Sequence, residues 1–248
     1  MKRFVVSKWK KTNELMKNDE LRAHIPKTVR MTKDSLLSML HEYRMVYIKP
    51  DIGTFGNGVM RVEWDSALSN PYQYQLGEKA RSFVNYDSMY EDIERKTRKT
   101  KYLVQKGIHL LKYQKRRFDI RIMVQKNLQK EWETTGWIGR VAHPRKIVTN
   151  YHSGGKLMPI EELLKDRTKE TGKKHYHKQF KQLGTNVAKQ LHKRYPGIKE
   201  IGIDVALDEA IVPWILEVNT KPDPYIFRSL ANKAIFGKIM RYKRANQK

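Results

Sequence analysis

Two short segments, Ile201-Gly202-Ile203-Asp204-Val205 and Ile215-Leu216-Glu217-Val218-Asn219, constrain this chain more than any other feature. Apolar residues alternate with acidic or amide ones, which is the period of a strand whose two faces meet different surroundings. Residues two apart on a strand share a face, so Glu217 and Asn219 point the same way, ~7 Å apart by strand rise. Asp208-Glu209 offers a polar turn between the segments, and folding about it brings Asp204 close to that pair. Two carboxylates and an amide oxygen then converge between apolar neighbours. Such hard oxygen donors suit Mg²⁺, which takes one or two carboxylates and completes its shell with phosphate oxygens and water. Two carboxylates buried together without a cation would be costly. An amphipathic strand pair with its polar face in solvent would show the same alternation.

A second signal lies upstream. Tyr47-Ile48-Lys49-Pro50 reads as a strand end, and Gly53, Gly56 and Gly58 follow within a short loop. Glycines let backbone N–H groups approach phosphate oxygens, and the lysine adds a point charge. The loop lacks the G-x-x-x-x-G-K-[ST] order of a P-loop and opens no helix, so neither a P-loop nor a dinucleotide fingerprint is present. An ordinary flexible hairpin is the plainer reading of the same residues.

A third signal is Phe118-Asp119-Ile120-Arg121, with Arg140 on the following strand. Ile120, Ile122 and Val124 share one face, and Asp119, Arg121 and Met123 the other. Arg121 and Arg140 can therefore clamp an anion, with Asp119 orienting either one; a surface ion pair would look alike. The loop Asn150-Tyr151-His152-Ser153-Gly154-Gly155 adds donors and glycines, and its lone histidine is more often solvated than catalytic.

The pattern between these signals mixes strands and helices without strict alternation, which predicts an α+β fold with antiparallel sheets. Helices are expected within 8–25, over Thr32–Tyr43 with Thr32 as N-cap, over 86–98, over 178–195 and over 226–241. Strands are expected over 45–49, 59–64, 101–105, 118–125, 131–141, 198–207 and 211–219, with a loop over 143–159. Three regions follow: a helical segment 1–43, a small lobe 44–105 carrying the glycine loop, and a large lobe 106–248 carrying the acidic strands.

Composition narrows the function classes. The 248 residues include 51 Lys and Arg against 26 Asp and Glu, a formal net charge of +25, which attracts polyanions without naming a chemistry. There is no cysteine, so disulfides, thiol catalysis and Cys-ligated zinc are excluded. The longest apolar runs fall well short of the ~18–20 residues of a membrane helix. Residues 1–8 lack the apolar core of a signal peptide, so a soluble, cytoplasmic chain is expected. No helix-turn-helix, zinc-finger or RNP motif accompanies the charge, which ranks nucleic acid behind other anionic partners.

Taken in order, Lys-Pro, glycine loop, Leu103-Val104-Gln105, Asp-Ile-Arg, arginine, Asn…Gly-Gly, Gly-x-Asp and Glu-Val-Asn, the signals resemble an ATP-grasp protein. Asp-Ile-Arg and Glu-Val-Asn-x-x-Pro are similar to the ribosomal-protein glutamate ligases and the glutathione synthetases. Ser7-Lys8-Trp9, His24-Ile25-Pro26-Lys27-Thr28, Tyr102 to Ile108 and Glu217 to Pro222 resemble the YheC/YheD-type endospore coat-associated ATP-grasp family. The resemblance spans about Leu15 to Phe227. It implies two α+β lobes that grasp ATP between them, with ATP and Mg²⁺ as cofactors. It implies that Lys49 contacts the phosphates, that Gly53, Gly56 and Gly58 close over them, and that Leu103 to Gly107, including Gln105 and Lys106, form the hinge against adenine. It implies Mg²⁺ on Asp204, Glu217 and Asn219, and Arg121, Arg140 and Asn150 near the transferred phosphate and the acceptor. The family's upstream ATP lysine best matches Lys17. Lys106 stands where many members have Glu.

The reaction implied is an ADP-forming carboxylate–amine ligation through an acyl phosphate. An amine and an unnamed carboxylate would be its partners, with spore-coat components or an anionic polymer beside them. A nucleotide-binding module without turnover, associated with the endospore coat, is the alternative, because the family's usual N-terminal domain is not expected within this chain.

Overall fold

The structure is a computed structural model that describes residues 3–149, 154–168 and 170–247. The period-two segments of the first half form one antiparallel sheet. Its strands are β1 (Thr28–Arg30), β2 (Met45–Pro50), β3 (Met60–Trp64), β4 (Tyr72–Leu76), β5 (Lys79–Phe83) and β6 (Tyr102–Lys106). They lie in the order β1-β6-β2-β3-β4-β5. Two helices cover one face, α3 (Lys33–Tyr43) and α4 (Tyr86–Thr97). Thr32 starts α3 as expected: its hydroxyl accepts from Ser35 N–H, and Ser35 Oγ accepts from Thr32 N–H. Leu36, Met39 and Leu40 of α3 and Met89 and Ile93 of α4 pack on Val46, Ile48, Val62 and Val104. Alternation then turns Tyr47, Lys49, Leu103 and Gln105 to the opposite face.

The second half forms another antiparallel sheet from β8 (Arg116–Lys126), β9 (Trp132–Val141), β10 (Lys156–Met158), β11 (Glu200–Leu207) and β12 (Pro213–Asn219). Their order is β10-β9-β8-β11-β12, with the short β7 (Lys112–Tyr113) paired to β8. Ile120, Ile122, Val124, Ile201, Ile203 and Val205 face a core filled by Ile160 and Leu163 of α5 (Ile160–Leu163) and by Phe180, Leu183, Val187 and Leu191 of helix α6 (Glu170–Arg194). On the other face Met123 and Ile138 meet Phe227 and Ile239.

The expected 1–43 segment splits between these cores: α1 (Lys8–Leu15) and α2 (Asp19–Arg22) dock on the second, and α3 on the first. Leu15, Leu21 and Ile25 belong to the second core, whereas Leu36 and Leu40 belong to the first. The reason is packing: two short helices cannot bury their apolar stripe alone and must dock on the nearest open core.

Three expectations on elements are corrected. Helix α6 starts eight residues before the expected 178. The loop over 143–159 contains β10, which pairs Leu157 with Arg140. The helix expected over 226–241 is a 3₁₀ turn, Tyr225–Ser229, followed by α7 (Lys233–Gln247). Leu230 between them is extended, and the Asn232 side chain accepts from Ala234 N–H to start α7 afresh. Among the described residues, no helix is long and apolar enough to cross a membrane.

Candidate functional site

The register of the second sheet sets the expected residues in one row. Asp119 on β8 lies opposite Arg140 on β9, Arg121 on β8 opposite Asp204 on β11, and Asp204 opposite Glu217 on β12. Gly202 lies opposite Asn219. A bulge between Asp204 and Val205 interrupts the β11–β12 ladder just beyond Glu217. A side chain at Gly202 would press on Pro222 and Arg121, at 2.9 and 3.1 Å from its Cβ, so glycine there lets Arg121 lie along the sheet.

These charges are tightly paired. Arg140 donates to both oxygens of Asp119 at 2.8 and 2.5 Å, and lies 3.1 Å from Asp204 Oδ2. Arg121 donates to both oxygens of Asp204 at 2.5 and 3.1 Å. Burial pushes the Asp204 carboxyl up, but Arg121 and Arg140 together outweigh it and hold Asp204 down at about 2. Burial disfavours the Arg140 cation, and Asp119 and Asp204 overcome that too, so its pKa is raised. Asp119 therefore orients Arg140, while Arg121 is oriented by Asp204.

The facing wall comes from β2, β6 and α1. Lys49 Nζ donates to Gln105 Oε1 at 2.5 Å, and Gln105 Nε2 donates to Thr28 Oγ1. Lys8 Nζ donates to the Gly53 carbonyl at 2.9 Å and lies 3.4 Å from Glu217 Oε1, so it ties the glycine loop to the acidic strand. Lys11 is only 4% exposed and lines the same inner cavity as Lys8, Lys49 and Glu217. Its ammonium has no hydrogen bond or ion pair among the described residues. Burial pushes both Lys49 and Lys11 down to about 8, against the pull of Glu217.

Most of the expected residues meet here. Gly56, Lys49, Gln105, Lys106, Arg140, Asp204 and Glu217 line a cavity, open to solvent, with Tyr47, Val59, Ile108, Ile147, Val148 and Leu216. Gly53, Arg121 and Asn219 line its neighbour, which opens towards the 3₁₀ turn. The Lys106 ammonium stacks over Tyr43 and Trp214.

Lys17 does not line these cavities. Its side chain is 64% exposed and pairs with Glu14 beyond the end of α1. Lys8, Lys11 and Leu15 recur at helical spacing on the inward face, and Lys17 falls outside that stripe. Lys8 and Lys11 are the residues that sequence reasoning missed; the signal available was their i, i+3 spacing with the buried Leu15. Gly107 has a packing role, since its N–H donates to the Met45 carbonyl and a Cβ would strike the Met45 sulfur. Gly58, at φ +74°, packs against the Tyr102 hydroxyl and shapes the loop without lining either cavity. Asn150 lies outside the described residues.

The lining of the cleft thus sets Lys8, Lys11, Lys49, Lys106, Arg121, Arg140, Lys221 and Lys243 against Asp119, Asp204, Glu217 and Asp223, a formal surplus of four positive charges. Among the described residues no group of three or more His, Asp or Glu side chains is placed to hold a metal. Two carboxylates and an amide fit a hard cation that draws its other ligands from phosphate and water. Each Asp204 oxygen already accepts from a guanidinium, and a carboxylate oxygen retains a second acceptor position.

The fold and cleft have known counterparts. The family model described as YheC/D like ATP-grasp matches residues 1–244. Endospore coat-associated protein YheC of Bacillus subtilis (strain 168) is 23% identical over 222 residues, covering 89% of this chain and 61% of YheC. Endospore coat-associated protein YheD of the same strain is 24% identical over 229 residues, covering 89% of this chain and 49% of YheD. This chain therefore spans about half to three-fifths of the length of those relatives. The crystal structure of D-cycloserine synthetase DcsG is similar in fold, with a TM-score of 0.58 at 11% identity over 96% of this chain and 70% of DcsG. With the matched family model reaching across both sheets and the cleft between them, the chain belongs to the YheC/D-like ATP-grasp family.

Proposed function

We propose that the cleft binds Mg·ATP and drives an ADP-forming carboxylate–amine ligation. The observation that carries this reading is that Lys49 from the first sheet lines one cavity with Asp204 and Glu217 from the second, and the same two carboxylates line the adjoining cavity with Asn219. The positive surplus of the cleft lining suits the negative charge of Mg·ATP. The apolar slot between Lys106, Ile108, Val148 and Leu216 suits a purine ring. Glu217, Asn219 and Asp204 would hold Mg²⁺, which when bound neutralises phosphate charge.

The chain's own residues position the reactants. Lys8, Lys11 and Lys49 neutralise the triphosphate, and their burial strengthens each contact. Arg121 and Arg140 are held in place by Asp204 and Asp119, and the Nη1 of each makes no hydrogen bond among the described residues. Those donors can receive the transferred phosphate and the substrate carboxylate. The carboxylate attacks the γ-phosphorus, ADP leaves, and an amine then displaces phosphate from the acyl phosphate. No protein nucleophile is needed, in keeping with a chain that lacks cysteine. The names of the two relatives support a spore-coat association for this chain as well.

Thermal unfolding with and without Mg·ATP tests the site. Nucleotide at a hundredfold excess over its Kd stabilises the wild type by about 2.7 kcal/mol. Lys49→Ala and Glu217→Gln lose that response while remaining folded, and a full response in both rejects the assignment. ADP release on supplying carboxylate and amine pools tests turnover; tight binding without release favours a nucleotide-binding module.

A further inference from the structure

A second large concavity lies outside the cleft, on the far side of α1. It encloses about 1600 Å³ of open space and is lined by Trp9 and Lys10 of α1, Arg30 of β1, Arg98 after α4, and Lys101 before β6. Helix α1 and the end of β2 form the wall between groove and cleft, because Lys8 N–H donates to the Asp51 carbonyl and Ser7 Oγ to the Asp51 carboxylate. The same helix thus turns Lys8 and Lys11 to the cleft and Trp9 and Lys10 to the groove.

The groove is positive: five cations, Lys10, Arg30, Arg95, Arg98 and Lys101, line it against Asp51 and Glu94, and of these cations Arg95 pairs with Asp92. Lys10, Arg30, Arg98 and Lys101 are exposed and form no ion pair among the described residues. Of the two carboxylates that line it, Asp51 already accepts from Ser7 Oγ and Trp9 N–H. Trp9 belongs to none of the three apolar cores and is half-exposed, with the Arg30 guanidinium over its ring at 5.4 Å. A half-buried indole beside cations that form no ion pair is the composition of an interface anchor.

The backbone beside it distinguishes the kind of partner. β1 is the outer strand of the first sheet. Met31 N–H donates to the Tyr102 carbonyl and Lys106 N–H to the Lys27 carbonyl, so Arg30, which lines the groove, turns its N–H away from β6, while its carbonyl accepts from Ser35 Oγ. A backbone N–H at a strand edge can donate to the carbonyl of an extended peptide laid beside it.

We infer that this groove docks an acidic polypeptide segment, held by Lys10, Arg30, Arg98 and Lys101, with Trp9 as its apolar anchor. Charge complementarity gives such a segment both its rate of encounter and its specificity.

Fluorescence anisotropy with a labelled poly-L-glutamate peptide tests this. Wild type binds it with an affinity that weakens as salt rises. The triple variant Lys10→Glu, Arg98→Glu, Lys101→Glu loses at least ~tenfold in affinity. A control with the same charge change on exposed α6 positions, Lys178→Glu, Lys181→Glu, Lys189→Glu, stays within ~twofold of wild type. Trp9→Ala, which leaves net charge unaltered, weakens binding ~threefold or more. Equal losses in both triples mean that only net charge is read, and the proposal fails. It also fails if oligo(dT) competes at the groove more tightly than the peptide. The Mg·ATP thermal response is retained in the groove triple, so loss of peptide binding is separable from any failure of the nucleotide reading.

Discussion

The two walls of the cleft handle charge in opposite ways. On the second-sheet wall, Arg140, Asp119, Arg121 and Asp204 satisfy one another through five contacts of 2.5–3.1 Å. On the α1 and first-sheet wall, Lys8 reaches across to Glu217, but Lys49 has one neutral amide as hydrogen-bond partner and Lys11 has no hydrogen bond or ion pair among the described residues. One wall is already neutralised internally and so keeps its geometry. The other holds cations against their desolvation cost, which is how a protein stores affinity for an anion that has yet to arrive.

The sharpest way to break this contrast is to remove a charge from each wall. Arg140→Ala leaves Asp119 and Asp204 buried without that counter-charge and destabilises the fold by about 3–5 kcal/mol in urea unfolding. Lys11→Met removes a buried ammonium that has no counter-ion contact, so it stabilises the nucleotide-free protein by about 1 kcal/mol while reducing the Mg·ATP response. If both substitutions destabilise equally, the two walls do not differ in the way described.

A pH series sharpens the same contrast. Burial holds Lys49 and Lys11 at about 8 without nucleotide, and a bound triphosphate favours their charged forms. Nucleotide affinity therefore falls as pH rises past 8, and binding near that pH takes up protons, measurable by calorimetry in buffers of different ionisation heat. The folding contribution has the opposite sign. Between about 8 and the ordinary lysine range the unfolded chain holds protons that the folded one lacks, so these two groups add stability as pH rises. The smallest effect is expected from Lys17→Ala. It changes stability by less than about 0.5 kcal/mol and leaves the nucleotide response intact, because this lysine faces solvent. Loss of that response would return Lys17 to the site.

Much of the site was legible because strand alternation is local. Period two alone set Glu217 and Asn219 on one face and Asp119 opposite Ile120, and Thr32 announced α3 by its capping chemistry. The pairing between strands was less legible. That Asp204 receives two guanidiniums depends on β8 and β9 lying beside β11 in one register, and those strands are about 60–90 residues away. The break before α7 was equally hidden, since apolar spacing runs across Leu230 and only the docked 3₁₀ turn shows that the chain stops and restarts.

By itself, then, the sequence determined which side chains share a strand face, and with them the oxygen donors, the glycine loop and the α+β class. Tertiary structure alone decided that α1 docks on the second core and presents Lys8 and Lys11, with Lys17 turned to water. A strand's faces follow from the geometry of successive residues. A helix's burial depends on which distant surface remains open to cover it, and that is fixed only when both sheets have packed.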